Sequence, residues 1–139
     1  MLKLLAVVLL ALGLLHLQCA DSWSLWPVRY WLKVENALKA TLDVHCQCED
    51  YPELGLQHIP PQGHFNWTFK SQFFKKIVYN CNFTWPNHAH KSFLVFEDNL
   101  NFVDHLCGGR HCTWRAAEDG IYLYRLYKQK YIKMEDWDN

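Results

Sequence analysis

The sequence predicts an all-β protein, an antiparallel sandwich or barrel made of short strands. In four segments, apolar and polar residues alternate with a period of two, which places the apolar set on one face of a strand and the polar set on the other. Proline, glycine and asparagine interrupt the chain between these segments, and no convincing apolar helix pattern lies between the interruptions. A secretory leader followed by several cysteines adds the expectation of a disulfide framework.

The strands can be placed along the chain from this alternation. The principal strands are predicted over residues 29–35, 41–48, 64–70 and 76–85. Shorter strands are predicted over 92–97, 111–117 and 121–125. Asp119-Gly120 lies between the last two and predicts a hairpin, because glycine tolerates the positive φ of a tight turn. Residues 127–139 are expected to end the last strand and continue as a solvated, charged tail.

The first 20 residues are predicted to be a secretory signal peptide. Lys3 precedes an apolar run over residues 4–17, and small residues then offer cleavage after Ala20 or, alternatively, after Ser22. The run is shorter than the roughly 18 residues that favour a membrane span, and no later segment is long or apolar enough to span either. We therefore expect a secreted, extracellular protein without membrane insertion, whose residues 21–139 form one domain. An uncleaved membrane anchor is the alternative interpretation.

The charge of the mature chain restricts its partners. The sequence holds 14 basic and 14 acidic residues, and the leader removes one lysine and no acid, which leaves a net charge of −1. Nucleic-acid-binding domains present a strongly basic surface, so this balance argues against nucleic acid. It also provides no polybasic signal for anionic lipid.

Five cysteines remain after the leader. They are Cys46, Cys48, Cys81, Cys107 and Cys112. In a secreted chain they predict disulfides, and their odd number leaves at least one thiol unpaired or bonded to another molecule. A zinc site is the alternative, but the spacings lack the paired two-residue intervals of a zinc ribbon. We predict no metal and no cofactor.

Other chemistry is sparse. Asn66-Trp67-Thr68 and Asn82-Phe83-Thr84 are N-glycosylation triplets, and both asparagines fall on the polar face of a predicted strand. No serine nucleophile motif appears, and no pair of carboxylates stands out for glycoside hydrolysis. The sequence therefore predicts no catalytic residues and a protein that is not an enzyme.

Several short motifs, taken in their order and spacing, resemble the plant self-incompatibility proteins, the S-protein homologues. They cover most of the predicted mature chain. The motifs are Leu42-Asp43-Val44-His45-Cys46, Pro60-Pro61-Gln62-Gly63, Cys81-x-Phe83-x-Trp85, and Cys112-x-Trp114 followed by Asp119-Gly120-Ile121-Tyr122.

The resemblance implies a small antiparallel β-sandwich stapled by two disulfides. The family cysteines correspond here to Cys46, Cys81, Cys107 and Cys112, with three connectivities open. Cys48 stands where the family usually has a polar residue, so it is expected to be the unpaired or intermolecular thiol. An intermolecular bond through Cys48 would make a covalent dimer.

The resemblance also implies a secreted ligand or recognition protein that binds a cell-surface receptor protein. A secreted defence or inhibitory module is the alternative, and a secreted hydrolase is a weaker one. Trp67, Trp85 and Trp114 lie on apolar strand faces and are expected in the core. The contact regions are expected in polar segments between strands, namely residues 49–54, 86–90 and 99–105.

Overall fold

The computed structural model describes residues 27–139, so the predicted signal peptide and its cleavage site lie outside the described residues. The described part of the chain forms nine strands. They are β1 (Arg29–Asn36), β2 (Leu42–Gln47), β3 (Leu56–Ile59), β4 (His64–Lys70), β5 (Val78–Trp85), β6 (Ala89–Glu97), β7 (His111–Ala117), β8 (Gly120–Arg125) and β9 (Lys130–Glu135). A seven-residue π-helix over Asn101–Cys107 and a single 3₁₀ turn over Leu126–Lys128 complete the fold.

The strands form two sheets that pack face to face. One sheet has five strands in the order β4-β1-β7-β8-β9, and the other has four in the order β3-β2-β5-β6. The predicted all-β sandwich is therefore confirmed. One neighbour pair departs from the antiparallel expectation, because β1 and β7 run parallel in the middle of the larger sheet. Both strands begin at the same end of the sandwich and therefore run in the same direction.

The core lies between the sheets and is rich in aromatic side chains. Tyr30, Phe69 and Phe96 pack against one another with ring centroids 4.9 to 5.7 Å apart. Trp114 is almost fully buried, and its Nε1 donates a hydrogen bond to the carbonyl of Val95 at 2.9 Å. Aromatic pairs in such tilted and edge-on arrangements add stability beyond their buried area.

The three tryptophans expected in the core have different environments. Trp67 and Trp114 are buried, as the strand alternation predicts. Trp85 is only half-buried, since it ends its strand and stacks on His88 beside Trp137. Its position at the rim rather than in the centre of the core follows from its place as the last residue of β5.

Two disulfides fix the cysteine connectivity that the sequence left open. Cys46 and Cys81 are direct partners on β2 and β5, and their disulfide is buried in the core. Cys107 and Cys112 join the end of the π-helix to β7 across a sequence separation of 5. Among the cysteines of residues 27–139, Cys48 has no disulfide partner and lies partly buried against the core.

Asn36 organises the crossing from the larger sheet to the smaller one. It is the buried polar residue of the core, with 2% of its surface exposed. Its Nδ2 donates hydrogen bonds to the carbonyls of Ala40 at 2.8 Å and Ile59 at 2.9 Å. Its Oδ1 accepts a hydrogen bond from the backbone N–H of Leu38 at 2.9 Å. One side chain thus satisfies three buried backbone groups, as buried polar groups require.

The prediction of a solvated tail after residue 127 is wrong. Residues 130–135 pair with β8 as the edge strand β9, and the residues after it cross to the other sheet. Trp137 donates its indole N–H to the carbonyl of Ala117 at 2.7 Å, and Asp138 forms an antiparallel bridge with His90. The lysines and acids suggested solvation, but Met134 and Trp137 pack against the core and bring this segment onto the sandwich.

Candidate functional site

Four chain connections meet at one end of the sandwich. Strands β2, β4, β6 and β8 end there, and β1, β5, β7 and β9 begin there, as the pairing registers require. The connections are residues 48–55, 71–77, 98–110 and 126–129. We call this surface the apolar end.

Large exposed apolar side chains are concentrated in these connections. Five of the seven found in residues 27–139 belong to them, and the other two, Trp31 and Leu56, lie near the same ends of β1 and β3. The five are Phe73, Phe74, Leu100, Leu126 and Tyr127. The connections at the opposite end, within the described residues, carry none. Single exposed apolar residues are ordinary, but a cluster of them marks an interaction surface.

Phe73 and Phe74 form the tip of the connection between β4 and β5. Gln72 and Lys75 pair across it, so the two aromatic residues occupy a tight turn. Phe74 is fully exposed and has a φ of 61°, in the left-handed region. An L-residue pays roughly 1–2 kcal/mol for this conformation, and a bulky side chain rarely adopts it. The fold thus holds an aromatic ring in water on a strained backbone.

The base of this turn is anchored to the start of β1. The backbone N–H of Ser71 donates to the carbonyl of Val28 at 2.7 Å, and Ser71 Oγ accepts from the N–H of Val28 at 2.8 Å. Beyond the tip, Lys75 pairs with Asp50 at 3.3 Å and Lys76 with Glu97 at 3.0 Å. These contacts fix where the two phenylalanines are presented.

The second apolar element is the connection between β6 and β7. Asn99 Oδ1 accepts a hydrogen bond from the N–H of Phe102 at 2.7 Å and so starts the π-helix. Phe102 and Val103 are buried beneath Leu100, which is 77% exposed. Gly108 ends the helix with a φ of 81°, and a Cβ there would lie only 2.7 Å from Leu126 Cβ. This close approach places Leu126 and Tyr127 beside the helix.

A recess of about 560 Å³ lies between the helix and the start of β1. It continues into a smaller one of about 280 Å³ that reaches Phe73, and Val28, Tyr30 and Asp98 line both. The Tyr30 hydroxyl donates to Asp98 Oδ1 at 3.0 Å. Burial, reinforced by the Asp98 carboxylate, raises the pKa of Tyr30 to about 12, so the hydroxyl remains a donor at neutral pH. A partner side chain entering this recess would meet the apolar Val28, Leu100 and Val103 together with polar groups, among them Asp104 and Arg110.

Two of the three predicted contact regions belong to the apolar end. Residues 49–54 and 99–105 lie there, whereas residues 86–90 lie in the turn at the opposite end. The region 99–105 is not a polar loop, since it forms most of the π-helix and contributes Phe102 and Val103 to the core. Its exposed part is Leu100, Asp104 and His105.

Sequence reasoning missed Phe73 and Phe74. A usable signal was present, because two adjacent bulky apolar residues cannot both face the core from a strand of alternating pattern. Their neighbours Lys75 and Lys76 place the pair in a segment bounded by charge. Adjacent aromatic residues between two predicted strands therefore indicate a turn that exposes at least one of them.

Both predicted glycosylation sites are exposed. Asn82 lies near the middle of the outer face of the four-stranded sheet, where its Oδ1 accepts a hydrogen bond from Ser92 at 3.0 Å. Asn66 lies on the outer face of β4, an edge strand of the larger sheet. Neither asparagine belongs to the apolar end.

Residues 27–139 hold neither a metal-binding cluster nor a membrane-spanning helix. No three histidine, cysteine, aspartate or glutamate side chains come together as a metal site in this part of the chain. Within the same residues, no helix has the length and apolar character needed to cross a membrane.

The described residues thus form a disulfide-linked β-sandwich that gathers apolar side chains on loops at one end. Comparison with known proteins places it more narrowly. Residues 32–137 match the family described as "Plant self-incompatibility protein S1". The chain belongs to this family, the S-protein homologues.

Several curated relatives are S-protein homologs of Arabidopsis thaliana. S-protein homolog 2 is 33% identical over 92 residues, which are 64% of this chain and 56% of that protein. S-protein homolog 17 is 32% identical over 118 residues, covering 78% of this chain and 83% of that protein. S-protein homolog 3 is 24% identical over 115 residues, covering 81% and 75%. The chain thus spans little more than half the length of S-protein homolog 2. No solved structure matches the chain.

Proposed function

We propose that this protein is a secreted extracellular recognition ligand that binds a cell-surface receptor protein through the apolar end. The observation that carries the proposal is the cluster of exposed apolar side chains on loops at that end, with Phe74 held in water on a strained backbone. Aromatic side chains on a rigid support are the usual anchors of protein interfaces, because they bury a large area on binding.

The charges around the tip favour a protein partner over a lipid surface. Lys75 and Lys76 flank the two phenylalanines, but Asp50 and Glu97 pair with them. A membrane-binding loop would use such lysines for anionic headgroups. Here their charge is balanced within the protein, so apolar contact and shape are left to select the partner.

Secretion and a non-enzymatic role belong to the same proposal. Residues 1–20 would be removed as a signal peptide, and residues 21–139 would be the mature domain. Two disulfides suit an oxidising compartment and support this location. Glycans on Asn66 and Asn82 would each stand on the outer face of one sheet and leave the apolar end free. A disulfide through Cys48 would link two copies, and its partial burial means that the loop over residues 48–55 would have to open.

A binding assay on intact plant cells tests the proposal. The double variant Phe73→Ser/Phe74→Ser is compared with Asn87→Ser/His88→Ser in the turn at the opposite end, using labelled protein and non-reducing purification. We expect the first variant to bind at least about tenfold more weakly, the loss typical of anchor residues, and the second to bind as the wild type does.

Two results would contradict the proposal. Equal binding by the phenylalanine variant and the wild type would remove the apolar end as the contact surface. Binding to microbial cells or inhibition of their enzymes, without binding to plant cells, would favour the defence module instead. Thermal unfolding of both variants shows whether any loss of binding reflects loss of fold.

A further inference from the structure

We propose that the outer face of the five-stranded sheet binds an acidic polysaccharide, a polymer of sugars that carry carboxylates. We call this surface the basic face. It comprises the outward side chains of β4, β1, β7, β8 and β9 and is separate from the apolar end. The proposal goes beyond receptor binding, because it assigns a second ligand of different chemistry to a different surface.

The basic face carries a net positive charge. Pairing registers place five basic side chains and one carboxylate, Glu35, on it. The five are Arg29, Lys33, Lys70, Arg115 and Lys133. Three of them have acidic partners. Lys33 and Arg115 share Glu35, at 3.4 and 2.8 Å, and Lys133 pairs with Asp136 at 2.5 Å at the margin of the face. Arg29 and Lys70 have no ion pair among the described residues. A mature chain with a net charge of −1 thus concentrates its positive charge on one side.

The outer face of the other sheet has the opposite character. Its outward positions carry two acids, Asp43 and, at the margin next to the apolar end, Glu97. They carry no lysine or arginine. Two of its histidines pair with acids, since His58 lies 2.5 Å from Asp43 and His45 pairs with Glu53. The third, His90, lies opposite Thr84 and has no ion pair among residues 27–139. A polyanion approaching the protein would therefore distinguish the two faces and settle on the basic one.

Aromatic rings on the basic face offer surfaces for sugar rings. Trp31 is 38% exposed, and the imidazole of His111 stacks on it at 4.6 Å with the two planes only 3° apart. Stacking fixes the indole in place, so its exposed part is a rigid apolar surface. The apolar side of a pyranose ring fits such a surface, as other rings do in stacked pairs.

Arg115 is held in position for a carboxylate ligand. Its Nε and Nη2 donate to Glu35 Oε2 at 2.9 and 2.8 Å, and its guanidinium lies 3.7 Å above the centre of the Tyr131 ring. The third nitrogen, Nη1, makes neither of these hydrogen bonds. A guanidinium fixed in this way loses little freedom when it binds a carboxylate.

Two shallow pockets lie side by side on the basic face. One of about 340 Å³ includes Trp31, Asn66 and Thr113, and one of about 330 Å³ includes Glu35 and Arg115. Lys33 lines both. Neighbouring sugars of one chain could occupy them, the first against Trp31 and the second against Arg115, with Lys33 between their carboxylates.

This pattern favours a polysaccharide over a nucleic acid. A nucleic acid presents closely spaced phosphates and is bound by a correspondingly dense row of basic residues. Here Glu35 lies among the basic side chains, and uncharged polar residues such as Thr113 alternate with them. Fewer charges mixed with hydroxyl groups and an aromatic ring match a sugar chain better.

The test measures binding of polygalacturonic acid to the full mature protein by calorimetry at about 50 mM and about 500 mM NaCl. The matched neutral ligand is its methyl ester, and polyglutamate and single-stranded DNA are the polyanions without pyranose rings. Because a glycan on Asn66 would stand beside Lys33, the measurement is made on the wild type, on enzymatically deglycosylated protein and on Asn66→Gln.

We expect salt-sensitive binding of polygalacturonate, and little binding of the other three polymers. Trp31→Ala should weaken it about three- to tenfold and Lys33→Gln by a similar factor, while the exposed Lys39→Gln at the opposite end of β1 leaves it unchanged. Trp31 and Lys33 have exposed side chains, so neither variant should unfold the protein. The proposal fails if both variants bind as the wild type does, if the methyl ester binds equally well, or if polyglutamate or DNA binds as tightly as polygalacturonate.

Discussion

Replacing Phe74 by glycine should stabilise the protein while weakening its attachment to the proposed receptor. Phe74 is fully exposed and has a φ of 61°, so its side chain contributes no burial while its backbone lies in the left-handed region. Glycine enters that region without steric cost. The same substitution therefore separates the stability of the fold from binding at the apolar end.

The expected gain follows from two opposing terms. Relief of the left-handed conformation is worth roughly 1–2 kcal/mol. The greater flexibility of glycine in the unfolded chain costs roughly 0.5–1 kcal/mol. The free energy of unfolding should thus rise by about 0.5–1 kcal/mol, or about 2–5 °C in Tm for a domain of this size.

Urea unfolding followed by tryptophan fluorescence measures the effect. Phe73→Gly is the matched control, because Phe73 has the same chemistry without a positive φ and should lose stability, not gain it. Phe74→Asn is a second check, since asparagine tolerates the left-handed region better than phenylalanine does. A loss of stability in Phe74→Gly as large as that in Phe73→Gly would refute the strain at position 74. Undiminished receptor binding would separately refute the role of its ring.

Three further predictions concern stability. Replacing both cysteines of the β2–β5 disulfide by serine should lower the free energy of unfolding by about 4 kcal/mol, and replacing both Cys107 and Cys112 should lower it by about 2 kcal/mol. The difference arises because the two disulfides close loops of 35 and 5 residues. Urea titrations that give the opposite order would contradict this prediction. Asn36→Ala should cost about 2–4 kcal/mol in the same assay, since it leaves three buried backbone groups unpaired, and a loss below about 1 kcal/mol would show that water replaces the side chain. Burial alone would raise the pKa of Glu35, but hydrogen bonds from Arg115 and Tyr131 lower it below its ordinary value. As the pH falls, the Glu35 carboxylate of the unfolded chain is therefore protonated at a higher pH than the same carboxylate in the folded protein. Stability from Glu35 should therefore be present at neutral pH and lost as the pH falls through that lowered pKa, and Glu35→Gln should flatten this part of the acid dependence; an unchanged slope would count against the pairing.

Alternation along the sequence predicted the principal strands because each has one face in the core. β1, β2, β4 and β5 show this pattern clearly, and their observed bounds agree with it to within two residues. The parallel contact between β1 and β7 could not be predicted in this way. Alternation determines which face of a strand is buried, but the neighbour of β1 is decided by a connection of more than 70 residues.

The helix before β7 and the segment after β9 were missed for related reasons. Seven residues are too few for a helical period to be recognised, and only the packing of Phe102 and Val103 makes the turn necessary. The last residues are rich in charge, and their fixed position depends on Trp137 reaching Ala117 on another hairpin. Such contacts exist only after the sheets have formed.

The apolar end was partly predictable. Polar segments between strands indicated two of its loops, yet the residues that give it its character are apolar. The gathering of Phe73, Leu100 and Tyr127 on one surface depends on strand direction, which determines the end of the sandwich at which each connection lies. The basic face likewise required the registers of β4, β1 and β7, because its charges come from segments far apart in the sequence.

The bridge between Asp138 and His90 has a practical consequence for experiments on this protein. It holds the last described residues at the end of the sandwich remote from Phe74, whereas Pro27 and Val28 border the recess beside Phe73. A fluorophore, affinity tag or surface linker attached after Asn139 would orient every molecule with the apolar end facing outward. The same attachment before Pro27 would stand beside the recess and could obstruct a partner, so the choice of terminus alone can decide whether a binding screen succeeds.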